Sequence, residues 1–298
     1  MMTARPLFLA ALFPASLALP VLADGVGVDS IEAAGTTYQA IVAGAGSPVL
    51  FVHGMLGDGR AWAGLAEATA GNGHRFVAYD QRGFGPGSAS DPSATRDKHT
   101  SDLLAILGAV GEPVDLVGWS YAGPIVLRAA AKAPERVRRI VLYEPFVPEM
   151  LGGTPEADAA AEAFGAIWGP TGAAMDAGDT AGAARLAVEA VLGLGEGGFA
   201  KEPPAIQAMQ LDNAPAFAVN WDAPEPLALT CEELASVEAP TLIVTGATTL
   251  PAFTEAAKAV AACLPHAETA IMPGVGHGGP IEASEAFGKL ALGFIDRE

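Results

Sequence analysis

The sequence predicts an α/β protein whose mostly parallel sheet is covered by helices on both faces. Short apolar segments, typical of buried strands, alternate with helical segments along most of the chain, and short loops join them. Such alternation implies crossover helices, which pack on the two faces of a parallel sheet. With 298 residues, 51% of them hydrophobic, the chain can bury a large core in one large domain or two small ones.

The first part of this alternation ends at residue 142. Residues 48–52 form a wholly apolar run, typical of a strand that is buried on both faces. Residues 62–70 have a helical pattern, which ends at the Gly-Asn-Gly of residues 71–73. In residues 100–110 the apolar side chains recur with the period of a helix. The predicted strands of this part are residues 36–42, 48–52, 74–79, 114–117 and 137–142, and the predicted helices are residues 62–70, 100–110 and 121–133.

A long helical segment interrupts the alternation. Residues 146–236 contain no strong strand pattern, only Ala-rich helical pieces separated by Gly and Pro. Insertions into the loops of α/β scaffolds often carry function. We therefore expect residues 146–236 to form a helical cap over a core made of residues 24–145 and 237–298. In the last part of the chain, the predicted strands are residues 241–245 and 268–271, and the predicted helices are residues 254–262 and 282–295.

The first 23 residues have the pattern of a signal peptide. Arg5 supplies a positive charge, an apolar stretch follows, and the small residue Ala23 stands at a position that signal peptidase reads. An uncleaved membrane anchor is the alternative, but Pro14 and Pro20 divide the stretch into runs shorter than the ~20 residues that span a bilayer. The sequence thus predicts cleavage near Ala23, export to the periplasm or the medium, and a mature chain without stable membrane insertion.

The net charge argues against nucleic acid as a partner. Lys and Arg number 16 and Asp and Glu 34, which gives −18 at pH 7, and such a surface repels phosphate backbones. The two cysteines, Cys231 and Cys263, make no zinc site. Export would permit a disulfide between them, but their spacing leaves that question open. Neither a nucleotide-binding loop nor a metal-ligand pattern is evident in the sequence, so we expect no cofactor and no metal.

Residues 117–123 contain the strongest chemical signal. Their sequence, Val-Gly-Trp-Ser-Tyr-Ala-Gly, joins a predicted buried strand to a predicted helix. A serine on such a tight turn exposes its hydroxyl and needs small neighbours, which Gly118 and Ala122 provide. Ala122 departs from the usual Gly-x-Ser-x-Gly pattern, although one methyl group is tolerable there and Gly123 follows directly. Ser120 is predicted to be a nucleophile; the alternative is a serine that only caps the helix.

With this turn, the chain after residue 30 resembles the α/β-hydrolase superfamily. Residues 51–56, Phe-Val-His-Gly-Met-Leu, look like its His-Gly oxyanion loop, and residues 79–85, Tyr-Asp-Gln-Arg-Gly-Phe-Gly, match a loop motif of the superfamily. The resemblance implies that the backbone N–H groups of Met55 and Tyr121 form an oxyanion hole. The charged or titratable residues of the two motifs are expected to shape loops rather than to act in catalysis: His53, Asp80 and Arg82.

A serine nucleophile needs a base, because its free hydroxyl is weakly reactive at neutral pH. The superfamily places a histidine in the loop between the last strand and the final helix. Residues 272–279 occupy that place, and His277 lies among glycines that allow the backbone to bring the ring to the serine. The resemblance therefore implies that His277 is the base; a surface histidine in a flexible turn is the alternative. The other histidines fall outside that loop: His53, His74, His99 and His266.

The acid that balances this histidine is not at the place that many superfamily members use. Their Asp lies after the penultimate strand, but residues 245–253 contain no carboxylate and carry the neutral Thr249 there. Glu144 lies 24 residues after the serine, a separation similar to that in haloalkane dehalogenases and zearalenone-type lactonases. The carboxyl end of a central strand faces the ligand crevice. We therefore expect Glu144, rather than Asp102 or Asp115, to be the acid.

The nucleophile type implies acyl chemistry. Dehalogenases and epoxide hydrolases of this superfamily attack with an Asp, so Ser120 favours a hydrolase that cleaves a small-molecule ester or lactone through an acyl-enzyme. An acyltransferase, a cofactor-free haloperoxidase and a non-catalytic binding protein are the alternatives. Large apolar side chains are expected to line the pocket, although their helical spacing also suits a core within the cap: Trp119, Phe146, Phe164, Trp168, Phe217 and Trp221, and also Phe199 and Met209.

Overall fold

A computed structural model of the protein describes residues 25–88, 90–223 and 228–297. The predicted signal peptide, residues 1–23, lies outside these ranges. Within them, no helix combines the length and the apolarity that crossing a bilayer requires.

Eight strands of the described residues form one sheet. They are β1 (Val26–Ala33), β2 (Thr36–Ala43), β3 (Ser47–Val52), β4 (His74–Tyr79), β5 (Val114–Trp119), β6 (Val137–Tyr143), β7 (Thr241–Gly246) and β8 (Ala267–Met272). Their order across the sheet is β1-β2-β4-β3-β5-β6-β7-β8. β2 is antiparallel to both of its neighbours, and all the other pairs are parallel. The predicted α/β class with a mostly parallel sheet is confirmed.

Helices cover both faces of this sheet. The helices are α1 (Ala66–Gly71), α2 (Arg96–Val110), α3 (Ala122–Lys132), α4 (Pro155–Ala166), α5 (Gly169–Asp176), α6 (Thr180–Leu192), α7 (Pro204–Asp212), α8 (Ala214–Trp221), α9 (Cys231–Leu234), α10 (Pro251–Cys263), α11 (Gly279–Glu282) and α12 (Ser284–Ile295). Successive residues of a strand point to opposite faces of the sheet, so the central strands contribute side chains to two cores, one on each face. One core contains Leu50, Leu116 and Ile140 beneath α2, α3 and α10, and the other contains Phe51, Val117 and Val141 beneath α12.

Helices α4 to α9 occupy the segment between β6 and β7 that the sequence predicts to be a cap. Side-chain hydroxyl or carboxylate groups cap three of these helices at their N-termini: Thr154 on α4, Asp179 on α6 and Thr230 on α9. Small side chains of α6 pack against Phe199 and Phe217 in a third core, which Leu56 of the loop after β3 also joins. A disulfide between Cys231 and Cys263 ties α9 to the end of α10, which settles the pairing that the sequence leaves open.

Three elements differ from the sequence-based prediction. The edge strand β1 was not predicted, because its apolar residues are few and Val28 is half exposed. The predicted helix 62–70 begins as a 3₁₀ helix, Gly59–Leu65, in which the Asp58 side chain accepts a hydrogen bond from the Arg60 N–H. The predicted final helix 282–295 is two helices, α11 and α12, separated at Ala283.

The strand order brings the loops after five strands to one edge of the sheet. β3, β5, β6, β7 and β8 are consecutive and parallel, so the loops that follow them meet at their carboxyl ends. In open α/β sheets this edge is where ligands bind. The residues after β5, β6 and β8 include Ser120, Glu144 and His277, respectively.

Candidate active site

Ser120 lies on the turn between β5 and α3 in a conformation that is uncommon for a residue with a side chain. Its φ is +54°, in the left-handed region that L-residues rarely adopt. The Ser120 N–H donates to Tyr143 O at 2.9 Å, and Ser120 O accepts from the N–H groups of Gly123 and Phe146 at 2.9 and 3.1 Å. Hydrogen bonds to β6 and to the loop after it therefore hold this turn.

The requirement for a small residue falls on Gly123 more than on position 122. A Cβ on Gly123 would lie 2.5 Å from Pro145 Cβ, whereas Ala122 already carries a methyl group and is fully buried. A Cβ on Gly118 would lie 3.0 Å from the Leu142 side chain. The departure at Ala122 from the usual motif thus leaves the turn intact.

His277 contacts the serine hydroxyl. Its Nε2 is 2.9 Å from Ser120 Oγ, and the residue is 4% exposed. The Phe253 ring stacks on the imidazole with 3.7 Å between centroids and 11° between planes. The Trp119 indole N–H donates to His277 O at 2.9 Å. The ring and the backbone of His277 are therefore both fixed by aromatic side chains.

Glu144 completes the hydrogen-bonded array. Its Oε2 lies 2.5 Å from His277 Nδ1, and the residue is fully buried with a φ of +45°. Oε1 accepts from the Gly246 N–H at 2.7 Å, and Oε2 also accepts from the Thr249 hydroxyl at 2.9 Å. Because a carboxylate only accepts hydrogen bonds, Nδ1 carries the imidazole proton and Nε2 is free to accept from the serine.

Thr249 thus has a specific contact at the position where many superfamily members carry an Asp. Its side chain is neutral and cannot serve as the acid, but its hydroxyl binds the carboxylate that takes this place. The loop after β7 therefore contacts the side chain of Glu144, which follows β6.

The two backbone N–H groups that were expected to form the oxyanion hole are both free. Neither Met55 N–H nor Tyr121 N–H has a backbone or side-chain acceptor among the described residues. Gly54 brings the Met55 loop close to the nucleophile, since a Cβ on Gly54 would lie 3.5 Å from Ser120 Cβ. The Tyr121 hydroxyl lies 2.7 Å from Asn220 Oδ1 on α8, which links the serine turn to the helical segment.

Three further predicted residues hold the surrounding loops. His53 Nδ1 lies 2.9 Å from Gly54 O and its Nε2 accepts from the Gln81 N–H at 3.0 Å; burial lowers its pKa to about 4, which keeps it neutral. Asp80 accepts from the Gly59 N–H at 2.8 Å, and burial raises its pKa to about 7. Arg82 forms a bidentate pair with Asp102 at 2.7 and 2.9 Å.

A cavity of about 510 Å³ opens next to the Ser120 hydroxyl. Six predicted aromatic residues line it, together with Met209: Trp119, Phe146, Phe164, Trp168, Phe217 and Trp221. Phe199 is not in its wall and belongs to the third core. The polar or aromatic wall residues that the sequence reasoning missed include Arg96, Gln210, Asn220 and Phe253. They lie on four different helices, and no local pattern marks them as neighbours.

Among the residues that the structure describes, no three His, Cys, Asp or Glu side chains form a group suited to a metal ion. The titratable group that contacts the Ser120 hydroxyl is His277, which Glu144 contacts in turn. The hydroxyl, the imidazole and the carboxyl group of these residues thus lie in one hydrogen-bonded array.

Comparisons with known proteins identify the family. A model of the α/β-hydrolase family matches residues 49–290. The 2-hydroxymuconate semialdehyde hydrolase of Pseudomonas sp. strain CF600 is 34% identical over 143 residues, which is 47% of this chain and 48% of that protein. The aligned region thus spans about half the length of this curated relative.

Solved structures share the fold. A bromoperoxidase from Bacillus anthracis has a TM-score of 0.72 and 22% identity over 91% of this chain and 100% of its own. An enol-lactonase from Burkholderia xenovorans LB400 has a TM-score of 0.69 and 18% identity over 90% and 100%. The match of the family model over most of the sequence shows that this chain belongs to the α/β-hydrolase family.

Proposed function

We propose that this protein is a serine hydrolase that cleaves a carboxylic ester or a lactone through an acyl-enzyme on Ser120. The observation that carries the proposal is the hydrogen-bonded array of Ser120, His277 and Glu144 at the wall of a largely apolar cavity. A nucleophile, a base and an orienting acid within hydrogen-bond reach are the geometric signature of nucleophilic acyl transfer.

The reaction proceeds in two halves. Ser120 Oγ attacks the substrate carbonyl while His277 Nε2 takes its proton, and Glu144 stabilises the imidazolium that forms. The N–H groups of Met55 and Tyr121 hold the oxyanion of the tetrahedral intermediate. His277 then gives the proton to the leaving alkoxide. In the second half, water attacks the acyl-enzyme with His277 again as the base, which releases the acid and restores Ser120.

The cavity wall supports a hydrophobic acyl or alcohol group of small to medium size. Aromatic rings of the loop after β6 and of the helical segment, such as Phe146, Phe164 and Trp168, are in mutual contact with centroid separations of 4.7 and 5.5 Å. Burying a substrate's hydrocarbon against such rings stabilises the complex in proportion to the apolar area removed from water.

Hydrolysis of p-nitrophenyl butyrate tests the proposal. We expect activity in the wild type and a loss of about 10⁴-fold or more in kcat for Ser120→Ala, because the nucleophile is removed. A fluorophosphonate probe should label the wild type and not this variant. An unlabelled wild type would refute the serine-hydrolase proposal and favour a binding protein on the same fold. Formation of a new ester from an added alcohol in preference to hydrolysis would assign the protein to the acyltransferases instead.

We also propose that the protein is exported and that residues 1–23 are removed. The signal-peptide pattern supports this proposal, and so does the Cys231–Cys263 disulfide, because disulfides persist mainly in oxidising compartments. Cell fractionation followed by N-terminal sequencing tests it. A mature chain that starts at or near Asp24 in the periplasm or medium is expected, and a full-length chain in the cytoplasm would refute export.

A further inference from the structure

The described residues that line the cavity next to Ser120 include one permanently charged side chain, that of Arg96, in an otherwise apolar and neutral polar wall. Arg96 is the first residue of α2, and its side chain is 16% exposed. Its guanidinium carbon lies 5.4 Å from the centre of the Tyr121 ring. Arg96, Tyr121 and Ser120 line the same cavity, so this charge faces the space that a substrate of Ser120 would occupy.

Two nitrogen atoms of the Arg96 guanidinium have no acceptor in the described part of the chain. These atoms, Nε and Nη1, are buried and make no hydrogen bond there. The nearest carboxylate oxygen, Glu149 Oε2, is 3.9 Å from Nη1, and the other oxygen of Glu149 accepts from the Leu229 N–H at 3.0 Å. By contrast, Arg82 has a bidentate partner in Asp102.

Unused donors of this kind point to a ligand. A guanidinium has five N–H donors, and leaving buried donors unpaired costs free energy. A second cavity residue is in the same state, since Gln210 Oε1 is buried without a partner among the residues that the structure describes.

We infer that Arg96 binds a carboxylate that the substrate carries apart from its scissile ester bond. This inference rests on the proposed hydrolase function. A guanidinium binds a carboxylate through two neighbouring N–H groups that donate in parallel. Because Nε–H and Nη1–H point to opposite sides of the Arg96 guanidinium, the pair that binds has to combine one of these two nitrogens with Nη2. A phosphate dianion fits less well than a carboxylate, because it would bring two negative charges rather than one to a single cation that already has Glu149 Oε2 at 3.9 Å. The substrate class is then a monoester, or a lactone, in which an apolar segment separates a carboxylate from the reacting carbonyl.

Pairs of esters of similar size, one with a carboxylate and one without, test this inference. For a carboxylate on the acyl part, the pair is p-nitrophenyl hydrogen adipate and p-nitrophenyl heptanoate. For a carboxylate on the alcohol part, it is para-carboxyphenyl hexanoate and para-carbamoylphenyl hexanoate. In at least one pair, we expect kcat/KM of the wild type to be about tenfold or more higher for the anionic ester.

Variants then test whether Arg96 is the group that recognises the carboxylate of the anionic ester. Arg96→Met should lower the anionic-to-neutral ratio of kcat/KM by about tenfold or more, and Arg96→Lys, which keeps the charge without the fork, by less. Glu149→Gln should raise the ratio, because it removes the carboxylate that competes for Arg96. Arg185→Met is the matched control, since Arg185 is exposed, lies outside the cavity wall and should leave the ratio unchanged.

The failure of this inference can be told from failure of the proposed function. A ratio near one in both pairs, or a ratio that Arg96→Met leaves unchanged, would overturn the carboxylate site while hydrolysis itself stands. If no ester is hydrolysed, calorimetric binding of monomethyl adipate and methyl heptanoate to the wild type and Arg96→Met still decides the matter. Equal affinities for both compounds would refute the site, and a preference for the monoanion that Arg96→Met abolishes would support it.

Discussion

The substitution Glu144→Gln tests the role of the acid, because the structure shows what the amide would do. The oxygen of the new amide has to face the Gly246 N–H, from which Glu144 Oε1 now accepts at 2.7 Å. The amide NH₂ then takes the place of Oε2 and points at His277 Nδ1, where a carboxylate oxygen is 2.5 Å away. An NH₂ group donates, so Nδ1 has to become the acceptor and the ring proton moves to Nε2. That nitrogen can no longer accept the proton of Ser120.

The size of the effect follows from the same contact. A charge pair with 2.5 Å between N and O interacts by about 7 kcal/mol at an effective dielectric constant of about 20. This value is an upper bound on the effect on kcat, because Glu144 also stabilises the neutral imidazole of the ground state through a hydrogen bond. The lost charge interaction and the changed imidazole tautomer together should lower kcat by about 10³- to 10⁴-fold, which corresponds to an increase of about 4–5 kcal/mol in the activation free energy.

The assay is p-nitrophenyl butyrate hydrolysis with thermal unfolding as a check on folding. A second substitution tests whether another carboxylate can replace Glu144. The Thr249 hydroxyl is 2.9 Å from Glu144 Oε2, so a carboxylate at position 249 can approach His277 Nδ1. Thr249→Asp added to Glu144→Gln should recover about tenfold or more of the lost rate, and Thr249→Asn should not. A folded Glu144→Gln variant that keeps its rate within about threefold would refute the reasoning.

Three further predictions concern stability, with the free energy of unfolding measured by denaturant titration. Gly123→Ala drives a methyl group into a neighbouring proline and should cost about 1–3 kcal/mol; a smaller change would contradict the close approach. Reducing the Cys231–Cys263 disulfide, which spans 32 positions, should cost about 3–4 kcal/mol, and a double serine variant should not respond to thiol. Burial lowers the pKa values of His53 and His99 from 6.5 to about 4. Between these two pH values the unfolded chain binds protons that the folded chain does not, so the free energy of unfolding should fall as the pH decreases from 6.5 to about 4. The pKa of Asp80, raised by burial to about 7, acts in the opposite direction, and Asp80→Asn should therefore steepen the fall; a flat pH profile in both proteins would contradict these assignments.

Much of the fold follows from short-range patterns. Strands such as β3 and β5 are apolar runs bounded by turn residues, because both of their faces are covered. β1 escaped prediction because an edge strand with one solvated face needs few apolar residues. The split between α11 and α12 escaped as well, since the apolar period continues across Ala283 and only the backbone there leaves the helical region.

The residues at the carboxyl ends of the strands were also predictable as candidates. Ser120 and His277 stand in short motifs, and Glu144 was found because the loop after β7 has no carboxylate. Each of these signals is local in the chain. The parallel sheet then brings residues up to 157 positions apart into hydrogen-bond contact.

Other features depended on long-range packing and left no local trace. The hydroxyl of Thr249 binds Glu144, and the Phe253 ring stacks on His277. Arg96 lines the cavity with two guanidinium nitrogens that have no partner among the described residues. A side chain's partner is set by how distant elements pack, and a residue's neighbours in sequence do not encode that packing. Local patterns therefore predict the scaffold and the candidate reactive groups, whereas the wall of the cavity depends on the packing of residues that are distant in the sequence.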